Sequence, residues 1–290
     1  MSDFLSSMAS SSLLRAEGVR AGAGERGLRS RVASASPALP LVLDPSGFDL
    51  IAEAKLTSPS EGRIARSGGE VAGDGGEVAG NGGEVAGDGG EVAGDGGEVA
   101  LLAREMTLAG AAAISVLTEP EAFDGTIQHL ETVASSVTAP VMRKDFLVDP
   151  IQILEARAHG AAGVLLIARI TGGSMLAEMT DLALELGMFV LVEVFEKSEL
   201  DLASVVFDRP ILVGVNARDL VSLEVVPTRH AELLGDLPPH LPSVAESGIR
   251  TAADAKEVSR LGYSLALVGT SLVASGRPAQ LTREMIGAGR

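Results

Sequence analysis

The stretch Leu50-Ile51-Ala52-Glu53-Ala54-Lys55-Leu56-Thr57-Ser58-Pro59-Ser60 decides how the rest of the chain is read. An apolar run of strand length ends on a glutamate and a lysine two positions apart, which puts both side chains on one face of a strand. Charged groups at the end of such a run carry a desolvation cost unless they are paired or take part in chemistry. A second end of this kind is Arg143-Lys144-Asp145-Phe146, and six further apolar runs end on a polar residue or a glycine. Repetition of that arrangement along one chain points to a shared pocket.

The eight runs are Leu50 to Ala54, Ala112 to Leu117, Val141 to Arg143, Gly163 to Ile167, Phe189 to Val194, Ile211 to Val215, Ser243 to Ala245 and Leu265 to Val268. Between them lie segments of helical length and apolar spacing, such as Pro150 to His159, Gly173 to Leu186 and Thr251 to Leu261, several opening at Asp, Thr or Ser caps. Strict alternation with short connections predicts an α/β fold with a parallel sheet buried on both faces. Eight units in this length favour a closed (β/α)8 TIM barrel. An open doubly wound sheet is the alternative, although the turn after the first run holds Ser58-Pro59-Ser60 where a Gly-rich phosphate turn would be usual.

Around this unit the chain divides unevenly. Residues 1–47 form an N-terminal extension, partly helical, with helix expected around Ser11 to Glu17; Gly18, Gly22, Gly24 and Gly27 each cost a helix interior up to about 1 kcal/mol beyond it. Residues 48–290 form the barrel, interrupted after the first strand by a Gly/Glu-rich insertion at 68–97 that repeats Gly-Gly-Glu-Val-Ala-Gly-Asp. Paired glycines in every unit rule out a coiled coil despite the heptad period. The expectation is a flexible acidic loop; a calcium-binding β-roll is the alternative, although its usual repeat is nine residues in a different order. The last unit runs into Glu98 to Met106, which reads as the first barrel helix.

Composition bounds the function. A chain of 290 residues with 46% hydrophobic content can bury a full core. No apolar stretch approaches the roughly 18 residues of a membrane span, and Met1-Ser2-Asp3-Phe4 lacks the features of a signal peptide, so a cytoplasmic location is expected. Zero cysteines exclude disulfides, thiolate catalysis and Cys-ligated zinc. A net charge of −16 disfavours nonspecific nucleic-acid binding, and 3% aromatic content with no tryptophan disfavours recognition by base stacking. The four histidines, His129, His159, His230 and His240, fall away from the strand ends and read as surface residues without a catalytic or metal-binding role.

The strand ends carry a family resemblance. Ile51 to Ser60, Ile114 to Glu119, Phe123 with Gly125, Arg143 to Phe146, Leu191 to Val194, Asn216-Ala217-Arg218-Asp219-Leu220, Ala245-Glu246-Ser247-Gly248 and Leu267 to Leu272 together resemble the indole-3-glycerol-phosphate synthases of tryptophan biosynthesis. The likeness runs from about Phe48 to Ile286 except across the repeat, and departs at Leu56, where a basic residue is common, and at Glu61, where lysine is usual. It implies closure of the indole ring from 1-(2-carboxyphenylamino)-1-deoxyribulose 5-phosphate with loss of carbon dioxide and water. The implied protein is a monomeric carboxy-lyase acting on a small phosphorylated substrate, with no cofactor, metal, nucleic acid or membrane.

The resemblance also assigns roles. Lys144 would be the acid for ring closure and Glu193 would serve the dehydration; Lys55 would contact the substrate's anionic groups, with a share of the acid role left open between the two lysines, and Glu53 would orient them. Ser58, Asn216 and Glu246 would bind substrate, Arg218 would face its carboxylate, and Phe123 and Phe146 would wall its ring. Ser247, Gly248, Gly269 and Thr270 would bind the phosphate, where this barrel commonly presents backbone N–H groups. The loop that receives the repeat is a mobile active-site loop in the family.

Taken one at a time, Glu53 and Lys55 read as a salt bridge, the two phenylalanines as core, and Gly248 and Gly269 as turn glycines. Their joint placement at successive strand ends favours a site. Two rivals stand beside the resemblance: another phosphate-handling barrel lyase or isomerase, and a noncatalytic barrel whose acidic repeat binds calcium or protein.

Overall fold

Eight parallel strands can form an open sheet or a closed barrel, and here they close. The computed structural model describes residues 4–45, 47–58, 62–64 and 95–290, with the backbone alone at 58 and 95. The strands are β1 (Asp49–Ala54), β2 (Ala113–Leu117), β3 (Val141–Lys144), β4 (Gly163–Ile167), β5 (Phe189–Val194), β6 (Leu212–Asn216), β7 (Ser243–Glu246) and β8 (Leu265–Val268). All neighbours are parallel, and closure is made by β1 pairing with both β8 and β2, with Ile51 opposite Leu267 on one side and Ala113 on the other. This is the (β/α)8 barrel rather than the open sheet.

Alternation along the strands sorts the core into two layers. Ile51, Ala113, Met142, Leu165, Leu191 and Val244 pack together inside the barrel. Leu50, Ala52, Val116, Val164, Val190 and Val213 pack outward against the helices. Because the period is two, the inward row that begins at Ile51 continues through Glu53, and the row from Met142 continues through Lys144.

The helices follow from local chemistry reinforced by burial. They are α1 (Phe4–Ala21), α2 (Gly24–Ser34), α3 (Asp95–Leu108), α4 (Pro120–Phe123), α5 (Ile127–Ala134), α6 (Pro150–Ala158), α7 (Ala168–Glu185), α8 (Lys197–Ala203), α9 (Arg229–Leu234), α10 (Ala252–Leu261), α11 (Thr270–Ala274) and α12 (Pro278–Gly289). Helix α6 opens with a capping box of Asp149 and Gln152 and α10 with one of Thr251 and Asp254, each satisfying otherwise orphaned N–H groups. Helix α7 starts earlier than Gly173 and breaks at Gly172, whose φ of 67° is outside the helical region.

The extension is more helical than local propensity predicts. Helix α1 runs through Gly18 because Leu5, Met8, Ser12 and Ala16, spaced three or four apart, form one buried stripe. Each fully buried Leu or Met contributes roughly 1.5–3 kcal/mol, which exceeds the glycine penalty. Leu5 and Met8 join the barrel-interior cluster beside Phe146 and Ile167, so α1 lies across the mouth near the ends of β3 and β4. Two ion pairs fix it there, Arg15 to Asp145 at 2.7 Å and Arg20 to Asp149 at 2.6 Å.

Most of the repeat, residues 68–94, lies outside the described residues, and with it the flexible-loop and calcium readings. Asp95, Gly96 and Gly97 form the first turn of α3, so the helix starts three residues before Glu98. Among the described residues no helix is long and apolar enough to cross a membrane.

Candidate active site

The inward charged residues meet at the C-terminal mouth. Glu53 is 3% exposed and receives two ammonium groups, Lys55 Nζ at 2.7 Å on Oε1 and Lys144 Nζ at 3.6 Å on Oε2. Burial alone would raise the Glu53 carboxyl, but the two lysines outweigh it and hold the group below the ordinary glutamate range. Burial likewise disfavours the charge on Lys144, yet Glu53 and then Glu193 more than offset it, so the lysine holds its proton above the usual value.

Glu193 on β5 and Glu246 on β7 complete the ring of charges, both almost wholly buried. Neither oxygen of Glu246 receives a hydrogen bond from a described donor. Burial, and next the Glu193 carboxylate, push the Glu246 carboxyl well above its ordinary range, favouring the neutral acid. The charge count explains why: three buried carboxylates face two ammonium ions, and Glu53 holds both of the latter.

Two glycines make room for the carboxylates. A Cβ at Gly214 would stand 2.0 Å from Glu246 Oε1, and one at Gly269 would stand 2.4 Å from Glu53 Oε1. Gly214 was not among the residues singled out from the sequence. Its signal was a glycine inside the strand run Leu212-Val213-Gly214-Val215-Asn216, which marks a close approach.

Above this floor lies a cavity of about 370 Å³. Glu53, Lys55, Lys144, Asn216, Arg218 and Glu246 line one part of it, and Ser247, Gly248, Gly269 and Thr270 line another, with Phe123 at the side. Asn216 Oδ1 accepts from the Arg218 N–H at 2.9 Å, and the Arg218 guanidinium is steadied by the Leu223 carbonyl at 2.7 Å. Ser247 and Gly248 both have left-handed backbone, with φ of 63° and 75°.

Two expected site residues are placed differently. Glu193 does not line this cavity; it is coupled electrostatically to Lys144 and Glu246. Phe146 is buried between Phe4 of α1 and Phe123, with ring centroids at 5.9 and 6.4 Å, and lines none of this cavity. The Ser58 side chain lies outside the described residues. His230 corrects the surface reading of the histidines: it is 6% exposed, and its Nε2 meets the Glu246 carbonyl at 3.0 Å. Asp145, beside Lys144, also gains a role, because it accepts from Arg15, Thr118, Arg143 and the Phe146 N–H.

A wider cleft of about 720 Å³ opens between α1 and the loops after β4, β5 and β6. Its cation, Arg169, is already tied to Glu196, Glu199 and Asp219, so it offers an anion little. The smaller cavity holds Lys55, Lys144 and Arg218. Among the described residues no cluster of three or more His, Asp or Glu side chains could hold a metal ion.

A closed parallel barrel with paired lysines and carboxylates at its C-terminal mouth, facing turn segments after the last two strands, is the arrangement of a (β/α)8-barrel enzyme. Solved structures share the fold: 3-hexulose-6-phosphate synthase from Salmonella typhimurium, with a TM-score of 0.59 at 12% identity, covers 83% of this chain and 98% of its own. The N-acetylmannosamine-6-phosphate 2-epimerase from Clostridium perfringens, with a TM-score of 0.53 at 15% identity, covers 86% and 96%. The chain belongs to the indole-3-glycerol phosphate synthase family, whose model matches residues 90–285. Indole-3-glycerol phosphate synthases from Mycobacterium tuberculosis (strain CDC 1551 / Oshkosh) and Rhodococcus opacus (strain B4) are each 36% identical to it across 94% of this chain, spanning 92% and 93% of their own lengths. Family membership decides among the three readings that the sequence left open.

Proposed function

We propose that this protein is a carboxy-lyase that closes the indole ring of indole-3-glycerol phosphate in tryptophan biosynthesis, with Lys144 as the acid of the first step. Membership of the synthase family carries the reaction; the Lys144–Glu53 pairing at 3.6 Å inside the cavity supports the residue assignment. The substrate, 1-(2-carboxyphenylamino)-1-deoxyribulose 5-phosphate, brings a carboxylate and a phosphate that must face cations or N–H groups. Lys55 and Arg218 suit the carboxylate, while the turn at Ser247-Gly248 and the residues Gly269 and Thr270 suit the phosphate.

In the first step the ring carbon that bears the carboxylate attacks the ketone carbon. The ketone oxygen takes a proton from Lys144, and carbon dioxide leaves with its bonding electrons returned to the ring. An alkoxide is a much stronger base than an amine, so even a lysine that holds its proton firmly can deliver it downhill. In the second step the new hydroxyl takes a proton from Lys55 and leaves as water, while the adjacent carbon gives up a proton that passes to Glu193, which does not line the cavity, by way of the Lys144 amine left neutral by the first step. Glu246 in its neutral form can donate a hydrogen bond to a substrate hydroxyl.

Incubation with this substrate should yield a fluorescent indole product, and the absence of tryptophan from the chain keeps the background low. Consumption of the substrate without indole fluorescence would defeat the assignment. The phosphate placement has its own test. Gly248→Val imposes a branched side chain on a left-handed residue whose Cβ would meet Val225 at 3.3 Å. The Michaelis constant should rise by about tenfold or more, with a smaller change in turnover. Unchanged saturation would remove Gly248 from the phosphate site.

A further inference from the structure

Glu246 contributes to the site through its side chain, but its main-chain carbonyl is held as carefully. That oxygen accepts from the Ala217 N–H at 2.9 Å and faces His230 Nε2 at 3.0 Å. A carbonyl can only accept, so Nε2 carries the hydrogen. The residue that follows is Ser247, which adopts left-handed backbone with a φ of 63° and leads into Gly248. A non-glycine residue keeps such a conformation only where its surroundings over-determine it.

We infer that His230 is a positioning residue of the active site, which pins the Glu246 carbonyl through its Nε2–H and so sets the turn at Ser247-Gly248. Its own placement is firm. Tyr263 Oη donates to the His230 carbonyl at 2.9 Å, and the two rings meet edge to face at 5.6 Å. The preceding residue, Arg229, lies over the Phe195 ring at 4.2 Å, and the loop leading to α9 is closed by the Val226 N–H on the Ala217 carbonyl at 2.7 Å. The histidine therefore joins the ends of β6 and β7 to α9 from behind the cavity. Burial lowers its affinity for a second proton, against the opposing pull of the Glu246 and Val215 carbonyls, and so favours the neutral ring.

The inference rests on the assignment of phosphate to Ser247 and Gly248, and the experiment separates the two. His230→Phe keeps the aromatic contact with Tyr263 and removes the donor. The Michaelis constant, and the dissociation constant for inorganic phosphate measured by calorimetry, should each rise roughly fivefold, the value of one neutral hydrogen bond, with turnover changed less than twofold. His230→Gln, whose amide nitrogen reaches nearly as far as Nε2, should restore both. His230→Asn, one bond shorter, should resemble the phenylalanine variant and serves in its place if that variant does not fold. Leu233→Ala loosens α9 from its buried side without touching the carbonyl, and should lower the melting temperature while leaving both constants unchanged. Unchanged constants in both His230→Phe and His230→Asn, or an equal shift in Leu233→Ala, would overturn the inference. If Gly248→Val weakens phosphate and the histidine variants do not, the phosphate site stands and the role of His230 falls. If Gly248→Val has no effect on phosphate, the assignment beneath it has failed.

Discussion

Lys144→Ala should reduce turnover by about three orders of magnitude or more, within and beyond the range usual for loss of a positioned general acid. Binding of a substrate analogue with the ketone reduced should stay within several-fold of the parent, because the proton is needed only as the ketone oxygen gains charge. The fold should persist. Glu53 keeps Lys55 at 2.7 Å, so removing Lys144 does not leave that carboxylate without a partner. Lys144→Arg separates charge from proton donation: it preserves a cation beside Glu53, but a guanidinium does not release its proton. Both variants should therefore be inactive while binding the analogue, as read from single-turnover rates and calorimetry. Turnover within tenfold of the parent in either one would move the acid role to Lys55, which faces the same carboxylate.

The barrel was legible because each strand is buried on both sides, so the apolar runs stand out and their inward rows end in residues that no core would tolerate unpaired. Glu53, Lys144, Glu193 and Glu246 all sit on such rows, which is why a pattern of strand ends located the charged floor of the site. Tertiary burial supplied what the local pattern could not. Gly18 argued against a long α1, and the buried stripe from Leu5 to Ala16 overrode it. The glycines of the last repeat argued against helix at 95–97, and α3 extends over them while Val99, Leu102 and Met106 bury one face.

His230 was misread for a related reason. Its position away from any strand end said nothing of its reach, and only the packing of α9 against β6 brings its ring to the Glu246 carbonyl at the end of β7. Phe146 follows a strand end and was assigned to the cavity wall, but α1 returns across the mouth and covers it with Phe4. A long-range contact made by the extension cannot be read from residues near Phe146. Glu246 was legible as a polar strand end; its neutral form depends on Glu193, on Gly214 and on the lysines being taken by Glu53, none of which is local to it.

That dependence makes Glu53 the residue with the widest expected effect. Glu53→Ala leaves two buried ammonium ions without their shared partner, and breaking a buried pair from one side costs about 3–5 kcal/mol. At roughly 2–4 °C per kcal/mol for a domain somewhat smaller than this one, the melting temperature should fall by about ten degrees. Turnover should fall by at least about a hundredfold, because Lys144 loses the carboxylate that holds it. Glu53→Gln should be milder in stability, since its amide oxygen still accepts from one lysine and Glu246 can release its proton to replace the missing negative charge.

The pH dependence fixes the sign. A carboxyl whose folded value lies below its unfolded one stabilises the fold above the unfolded value and loses that contribution as the pH falls through the folded one. The Glu53 carboxyl is lowered from 4.5, so the parent should lose stability progressively below about that pH, and Glu53→Gln should show a shallower loss over the same window. Glu246 acts in the opposite sense. Its carboxyl is raised, so the contribution of the neutral acid is full below 4.5 and is lost as the pH rises through the folded value. With one negative charge fewer nearby, that loss should end at lower pH and be smaller in Glu53→Gln than in the parent. Melting temperatures taken from pH 3 to pH 9 would resolve both limbs. Parallel curves for parent and variant at both ends would mean that Glu246 titrates independently of Glu53, and the shared-charge account of the site would be lost.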